Sequence, residues 1–96
     1  MLSNNNLNQS QKSPEEINKI IAAKIRLIRK KQKISQQLLS KISGVSYGSV
    51  KRFEQSGEIS LISLSKITIA LHINLELENL FEGALLSIEE MTSEQD

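Results

Sequence analysis

Two short segments with helical hydrophobic spacing, separated by a glycine, occupy the middle of the chain. The first begins after Ser35, a residue type that often caps helix N-termini, and it ends at Gly44, which can adopt the left-handed conformation that closes a helix. The apolar residues of this segment fall at helical spacing, at Leu38, Leu39 and Ile42. The second begins after Ser46 and carries Val50 and Phe53 three positions apart, as on one helix face. The pattern predicts two short helices joined by a tight turn.

Three further helices are predicted around this pair. Ser13-Pro14-Glu15-Glu16 combines a capping serine, an early proline and a glutamate three positions after the serine, so it predicts the start of a first helix that ends near residues 31–33. The apolar stripe of this helix consists of Ile17, Ile20, Ile21, Ile25 and Ile28. Ser60 predicts the start of a fourth helix, which is apolar around much of its circumference and should be buried on more than one side. Its core and interface candidates are Leu61, Leu64, Ile67, Ile69 and Leu71.

A fifth helix is predicted to begin at Asn74, with Leu75, Leu77, Leu80 and Phe81 as its apolar residues. Residues 55–59 should form the loop between the third and fourth helices, with Gly57 ending the third. Residues 1–12 are rich in Asn, Gln and Ser and lack a hydrophobic pattern, so a flexible tail is expected there. A second apolar run at residues 84–88 follows Gly83 and precedes an acidic end, and its pattern is compatible with a strand or a helix.

Composition narrows the class of protein. The 96 residues suffice for one small domain with tails, and there is no cysteine to form a disulfide or a thiolate metal site. The single histidine, His72, argues against a metal enzyme, and no cofactor or metal is expected. No apolar run is long enough to cross a membrane, and the N-terminus lacks the features of a signal peptide, so a cytoplasmic protein is expected.

The net charge is only +1, but the charges are strongly segregated along the chain. Residues 17–53 contain no acid, and their basic residues are Lys19, Lys24, Arg26, Arg29, Lys30, Lys31, Lys33, Lys41, Lys51 and Arg52. Residues 54–96 carry Lys66 as their only basic residue, against the acids Glu54, Glu58, Glu76, Glu78, Glu82, Glu89, Glu90, Glu94 and Asp96. The half that contains the paired short helices is therefore the half that can attract phosphate.

The stretch IRLIRKKQKISQQLLSKISGVSYGSVKRFEQSGEIS resembles the Xre/Cro-type, lambda-repressor-like helix-turn-helix family. The features that carry the resemblance are the arginine-rich end of the first helix, Ser-Gln at the start of the second, Gly-Val-Ser at the turn and Phe-Glu after the third. The resemblance covers about residues 17–82. It implies an all-α fold: a five-helix DNA-binding domain over residues 13–82, preceded by the tail at 1–12 and followed by a short C-terminal extension at 83–96.

The second helix of this motif enters the DNA major groove with its N-terminal side chains at the base edges. On a helix that starts after Ser46, Tyr47, Ser49 and Arg52 should project outward, with Lys51 at the edge. The predicted DNA-binding residues are Gln36, Gln37, Ser46, Tyr47, Ser49, Lys51 and Arg52. Gly48 and Glu58 depart from the family pattern, which often has a side chain at the first position and basic residues near the second.

The resemblance also implies two structural contacts. It pairs Arg29 with Glu54, an ion pair that would hold the first helix against the third. It places Gln36 at a DNA-facing helix N-terminus, where amides and the helix dipole favour a phosphate. The apolar run after Gly83 needs a covering surface, and since relatives bind two-fold symmetric operators as dimers, homodimer contacts are expected at Leu85, Leu86 and Ile88.

Three functions are compatible with these features. The first is a transcriptional repressor that binds a palindromic operator in double-stranded DNA as a homodimer. The second is a repressor that is also an antitoxin with a kinase-like toxin partner, because SYGSVKRFEQSGEIS resembles antitoxins of HipBA-type systems. The third is a helical protein–protein adaptor without DNA binding, against which the basic half of the chain argues. An enzyme is not expected, because one histidine and acids concentrated in one half provide no catalytic constellation.

Overall fold

The structure is a computed structural model that describes residues 11–92, and within this range the chain forms helices and turns but no strand. The helices are α1 (Pro14–Lys31), α2 (Gln36–Ser43), α3 (Tyr47–Ser56), α4 (Leu61–Ala70), α5 (Asn74–Glu78) and α6 (Glu82–Thr92). The all-α prediction is confirmed for this part of the chain. Most of the expected tail at residues 1–12, and the acidic end from residue 93, lie outside the described residues.

Serine side chains start four of the helices, as the sequence predicted. At α1, the Ser13 hydroxyl accepts a hydrogen bond from the Glu16 amide at 3.1 Å, and Glu16 Oε1 accepts one from the Ser13 amide at 2.8 Å. The hydroxyls of Ser35, Ser46 and Ser60 each accept from the amide three residues further on. Each bond satisfies an amide that has no partner inside its helix, so the polar sequence between the apolar segments fixes where the helices begin.

Glycines in the left-handed conformation end α2 and α3. Gly44 has φ 78° and Gly57 has φ 83°, and both donate their amide to a carbonyl one turn back. Gly57 is also a point of close approach between helices, since a Cβ there would lie 2.6 Å from the Cβ of Asn18 on α1. The turn after Gly44 is held by Ser40, whose hydroxyl donates to the Val45 carbonyl at 2.6 Å.

The core lies where α1, α2, α3 and α4 meet. Its buried apolar residues are Ala22, Ile25, Leu39, Val45, Val50, Phe53, Ile67 and Leu71. Around them pack Ile28, Ile34, Ile59, Leu64, Ala70 and Ile73. The packed helix pairs are α1 with α3, α2 with α3, α2 with α4 and α4 with α5. The core therefore fixes α3 from one side, through Val50 and Phe53.

Several apolar residues at helical spacing in the predicted helices are exposed. The set comprises Ile17, Ile20, Ile21, Leu38, Ile42, Leu61 and Ile69. Two of the predicted stripes are wider than the surface the small core can cover, so only Ile25 of the α1 stripe is fully buried and Ile28 is half-buried. α4 packs against both α2 and α5 and buries Ile67 and Thr68, while Ile69 remains 59% exposed.

The C-terminal elements also differ from the prediction. α5 ends at Glu78, so Leu80 and Phe81 lie in the connection to α6, and Phe81 has φ 69°, which no helix accommodates. The run after Gly83 is a helix, which resolves the choice between strand and helix. Gly83 lies in the first turn of this helix and does not interrupt it.

Candidate nucleic-acid interface

A buried charged cluster fixes α3 relative to α1 and α2. The Arg29 guanidinium donates through Nε to Glu54 Oε2 at 2.6 Å and through its second terminal nitrogen to Glu54 Oε1 at 2.9 Å. The side chains of Arg29 and Glu54 are only 8% and 3% exposed. The structure thus contains the ion pair that the resemblance implied, in the two-point geometry that gives strong carboxylate binding.

The cluster extends to the ends of two other elements. Arg29 also donates to the Ile34 carbonyl at 2.7 Å, which holds the chain between α1 and α2. Gln36 Nε2 donates to Glu54 Oε1 at 2.9 Å, and Arg26 Nε lies 3.7 Å from the same oxygen. Burial of Glu54 alone would raise its pKa, but hydrogen bonds from Arg29 and Gln36 and the nearby positive charges outweigh this and hold the pKa below its usual value.

Gln36 therefore has a role that its sequence position did not reveal. It is the first residue of α2, as predicted, but its side-chain amide is bonded to Glu54 and it is half-buried. The adjacent Gln37 is exposed and lines a shallow groove between α2 and α3 together with Lys41 and Tyr47. Of the two glutamines, Gln37 has the freer side chain, while Gln36 couples the start of α2 to the ion pair.

The N-terminal turn of α3 is ordered by its own side chains. The Ser46 hydroxyl accepts from the Ser49 amide at 3.1 Å and donates to the Ser49 hydroxyl at 2.8 Å. The Ser49 hydroxyl keeps its own hydrogen for a further acceptor. Tyr47 is 39% exposed, and the Lys51 ammonium lies 4.4 Å from its ring centre. Lys51 is thus held over Tyr47 by a cation–π contact, which orders this end of the exposed surface.

The outward face of α3 lies directly opposite Val50 and Phe53. At 100° per residue, this face is centred on Gly48 and Gln55 and flanked by Lys51 and Arg52, with Tyr47 and Ser49 at its two sides. A Cβ added at Gly48 would have no atom within 4 Å, so the middle of the face is open. Arg52 is exposed and shares a shallow groove with Ser49 and Glu58.

Gln55 is a candidate DNA-facing residue that the sequence reasoning missed. The prediction placed it in a loop, but α3 continues to Ser56 and Gln55 is exposed in its last turn. The available signal was Gly57: a helix ended by a left-handed glycine includes the residues just before it. An amide side chain at this position can donate and accept hydrogen bonds with a base or a phosphate.

The three predicted dimer residues are all exposed on α6 but do not share one face. Leu85 and Ile88 are three positions apart and lie on the same side, whereas Leu86 is turned by about 100° from Leu85 and further from Ile88. The apolar run is continuous in the sequence, but in the helical conformation its residues lie on different sides of α6. Among the described residues there is no group of three or more side chains that could hold a metal ion, and no helix combines the length and hydrophobicity needed to span a membrane.

Comparison with known proteins agrees with this geometry. A family model described as helix-turn-helix matches residues 25–77, which is more than half of the chain and includes α2 and α3. A search of curated proteins and a search of solved structures returned no match. The match supports the resemblance to the Xre/lambda-repressor type, and α3 is the helix that such proteins place in the major groove. The chain belongs to the helix-turn-helix family, and it is a DNA-binding transcription regulator.

Proposed function

We propose that this protein is a sequence-specific repressor that binds a palindromic operator as a homodimer, with α3 in the major groove. The observation that carries the proposal is the two-sided character of α3. Val50 and Phe53 are 0% and 2% exposed on one side, while Lys51, Arg52 and Gln55 are exposed on the other. A helix held rigidly on one side and open on the other is suited to reading base edges.

Arg52 is the proposed base-reading residue. Its guanidinium can donate two parallel hydrogen bonds to guanine O6 and N7, the commonest specific contact of an arginine. Tyr47, Ser46 and Ser49 are placed for contacts to phosphate or to a thymine methyl at the entrance of the groove. Gly48 leaves room for the α3 backbone to approach the bases closely, since nothing stands above it.

The proposed phosphate contacts lie at the start of α2. Gln37 is exposed in the first turn of α2, and a helix N-terminus attracts an anion through its amides and its dipole. Gln36, bonded to Glu54, positions this end of α2 relative to α3. A phosphate contact by Gln36 itself requires its side-chain oxygen or backbone amide, because its Nε2 donates to Glu54.

We further propose that the protein is an antitoxin of a HipBA-like operon. Two features support this: the resemblance of residues 46–60 to such antitoxins, and the exposed apolar pair at the start of α4. Leu61 and Ile62 are 71% and 68% exposed, which favours a protein partner in addition to DNA. The alternative is a stand-alone regulator of the same family. A kinase-like toxin encoded by the adjacent gene, or recovered with the native protein, would favour the antitoxin. No enzymatic activity forms part of the proposal, and a nucleoid-associated, cytoplasmic location follows from it.

The test is DNA binding measured by fluorescence anisotropy on duplexes that contain the palindromes upstream of the gene. The association constant for the operator should be much larger than that for a shuffled duplex. The logarithm of this constant should fall linearly with the logarithm of the salt concentration. Lys51→Ala is the test variant, because it removes a lysine from the proposed interface. Lys66→Ala removes an exposed lysine from α4 and is the matched control, so it should leave the slope of the salt dependence unchanged. Equal affinity for operator and shuffled duplexes, or binding without salt dependence, would exclude sequence-specific repression and favour the adaptor function.

A further inference from the structure

α6 is an amphipathic helix that lies outside the packed helix pairs of the domain. Every described side chain of this helix, from Glu82 to Met91, is exposed. Its apolar residues Ala84, Leu85, Ile88 and Met91 recur every three or four positions and so share one face. Glu82 and Glu89 lie beside that face, next to Leu85, and the helix contains no basic residue.

α1 carries a second apolar face in addition to the one it buries. The buried face is formed by Ala22, Ile25 and Arg29. On the side turned away from them lie three apolar residues that are 40–54% exposed, and we call them the outer face of α1: Ile17, Ile20 and Leu27. Lys24 and Lys31 lie on the same side, and α1 has no acidic residue after Glu16. This face is apolar and positively charged.

We propose that α6 of one copy of this chain packs on the outer face of α1 of a second copy, so that each copy covers the other's α1. The inference rests on the proposed homodimer and names the surface that receives α6. Apolar residues at helical spacing match on the two helices, and the acids beside the α6 stripe meet the lysines of α1. A two-fold symmetric dimer contains this contact twice, which doubles its contribution.

Charge is the observation that selects this partner for α6. Pairing of α6 with α6 of the other copy would bring Glu82 and Glu89 of both helices together with no basic residue on either helix to compensate. Packing on the outer face of α1 instead places these acids near Lys24 and Lys31. Within one chain, α1 and α6 are not among the packed helix pairs.

Disulfide trapping tests the contact directly, because the chain has no cysteine of its own. Ile20→Cys and Leu85→Cys proteins are prepared separately, mixed under reducing conditions and then oxidised. A disulfide requires the two Cα atoms to approach within about 7 Å, so a crosslinked heterodimer reports the proposed contact. Leu86→Cys is the matched control, because it places the thiol on the other side of α6, and it should crosslink to Ile20→Cys several-fold more slowly.

The outcomes separate this inference from the proposed function. Disulfide formation by Leu85→Cys alone, faster than in the mixture, would show α6 paired with α6 and overturn the proposal. An intramolecular disulfide in the Ile20→Cys/Leu85→Cys double variant at high dilution, or a wild-type protein that remains a monomer throughout, would also overturn it. Heterodimer crosslinking in a protein that shows no specific operator binding would uphold the contact while refuting the repressor function.

A charge exchange gives an independent readout by sedimentation equilibrium in the absence of DNA. Lys24→Glu and Glu89→Lys should each weaken dimerisation by about fivefold, since each replaces two symmetric attractions with repulsions. The combination of both substitutions in one chain should restore most of the wild-type affinity, because the exchanged charges attract again. Additive weakening in the combined variant would refute the pairing of these two helices.

Discussion

Removal of the Glu54 carboxylate should destabilise the domain far more than removal of any exposed carboxylate. In Glu54→Ala, Arg29 loses both hydrogen bonds to the carboxylate and keeps only the Ile34 carbonyl. The Arg29 side chain is 8% exposed, so water cannot replace the lost partner without a local opening of the structure. Gln36 loses its acceptor in the same variant.

The expected loss follows from the cost of leaving one charge of a buried ion pair without its partner, about 3–5 kcal/mol. A small domain has a total free energy of unfolding of about 5–15 kcal/mol, so this is a large fraction of it. Each kcal/mol corresponds to about 4–8 °C in Tm for a domain of this size, so a decrease of at least ~12 °C is expected.

The assay is urea denaturation followed by far-UV circular dichroism, with the free energy extrapolated to water. Glu58→Ala is the matched control, because Glu58 is an exposed glutamate in the loop after α3, and its loss should stay within about 0.5 kcal/mol. The double variant Arg29→Met/Glu54→Leu should recover part of the stability, since it removes both charges. Recovery is limited by the Ile34 carbonyl, which loses its donor at a cost of about 1–3 kcal/mol.

The same contact predicts how stability depends on pH. Because the pKa of Glu54 is lowered in the folded protein, the unfolded chain binds more protons as the solution becomes acidic. The contribution is complete above the unfolded glutamate pKa of about 4.3 and is lost as the pH falls through the folded value. The difference in stability between wild type and Glu54→Ala should therefore shrink below about pH 4.3.

Two results would refute this reasoning. If the free energy of unfolding falls no more in Glu54→Ala than in Glu58→Ala, the ion pair contributes only as much as an exposed pair, despite its burial. A loss of the expected size that does not vary with pH would mean that the carboxylate acts through packing and not through its charge.

Other substitutions have expected outcomes that test the remaining features. Gly48→Ala should stabilise the free protein by about 0.5–1 kcal/mol in urea titrations, because it removes a glycine from a helix and no atom lies within 4 Å of the new Cβ. The same substitution should weaken operator binding measured by fluorescence anisotropy. Unchanged operator affinity would show that the α3 backbone does not approach the DNA at this point. Arg52→Ala should relax discrimination at one base pair by about 1–3 kcal/mol in binding to single-mismatch duplexes, whereas an equal loss on all duplexes would assign Arg52 to phosphate. Gly57→Ala should cost about 2–5 kcal/mol, because the methyl group would meet Asn18 and the residue has φ 83°. Gly44→Ala, with a similar φ and open space, should cost only about 1–2 kcal/mol, and equal losses would refute the close contact at Gly57.

The sequence by itself determined the local structure of this protein, because helix starts and ends depend on neighbouring residues. The serine caps at Ser13, Ser35, Ser46 and Ser60 and the left-handed Gly44 act within one turn of the chain. The segregation of basic residues into residues 17–53 and the match of the two central helices to a family pattern likewise require no coordinates. These features were sufficient to predict the order of α1 to α5 and to propose which helix faces DNA.

Only the tertiary structure decided which apolar residues form the core and which remain available to partners. Ile21 and Ile25 are four positions apart and share a face in the sequence pattern, but the small core covers only part of that face, so Ile25 is buried and Ile21 is exposed. The same holds for side-chain partners distant in sequence: Gln36 could be assigned to phosphate from its position, but its bond to Glu54, 18 residues away, follows only from the packing of α2 against α3. Hydrophobic spacing specifies the faces of a helix, whereas burial depends on the area that neighbouring helices can cover, and that area is set by the whole fold.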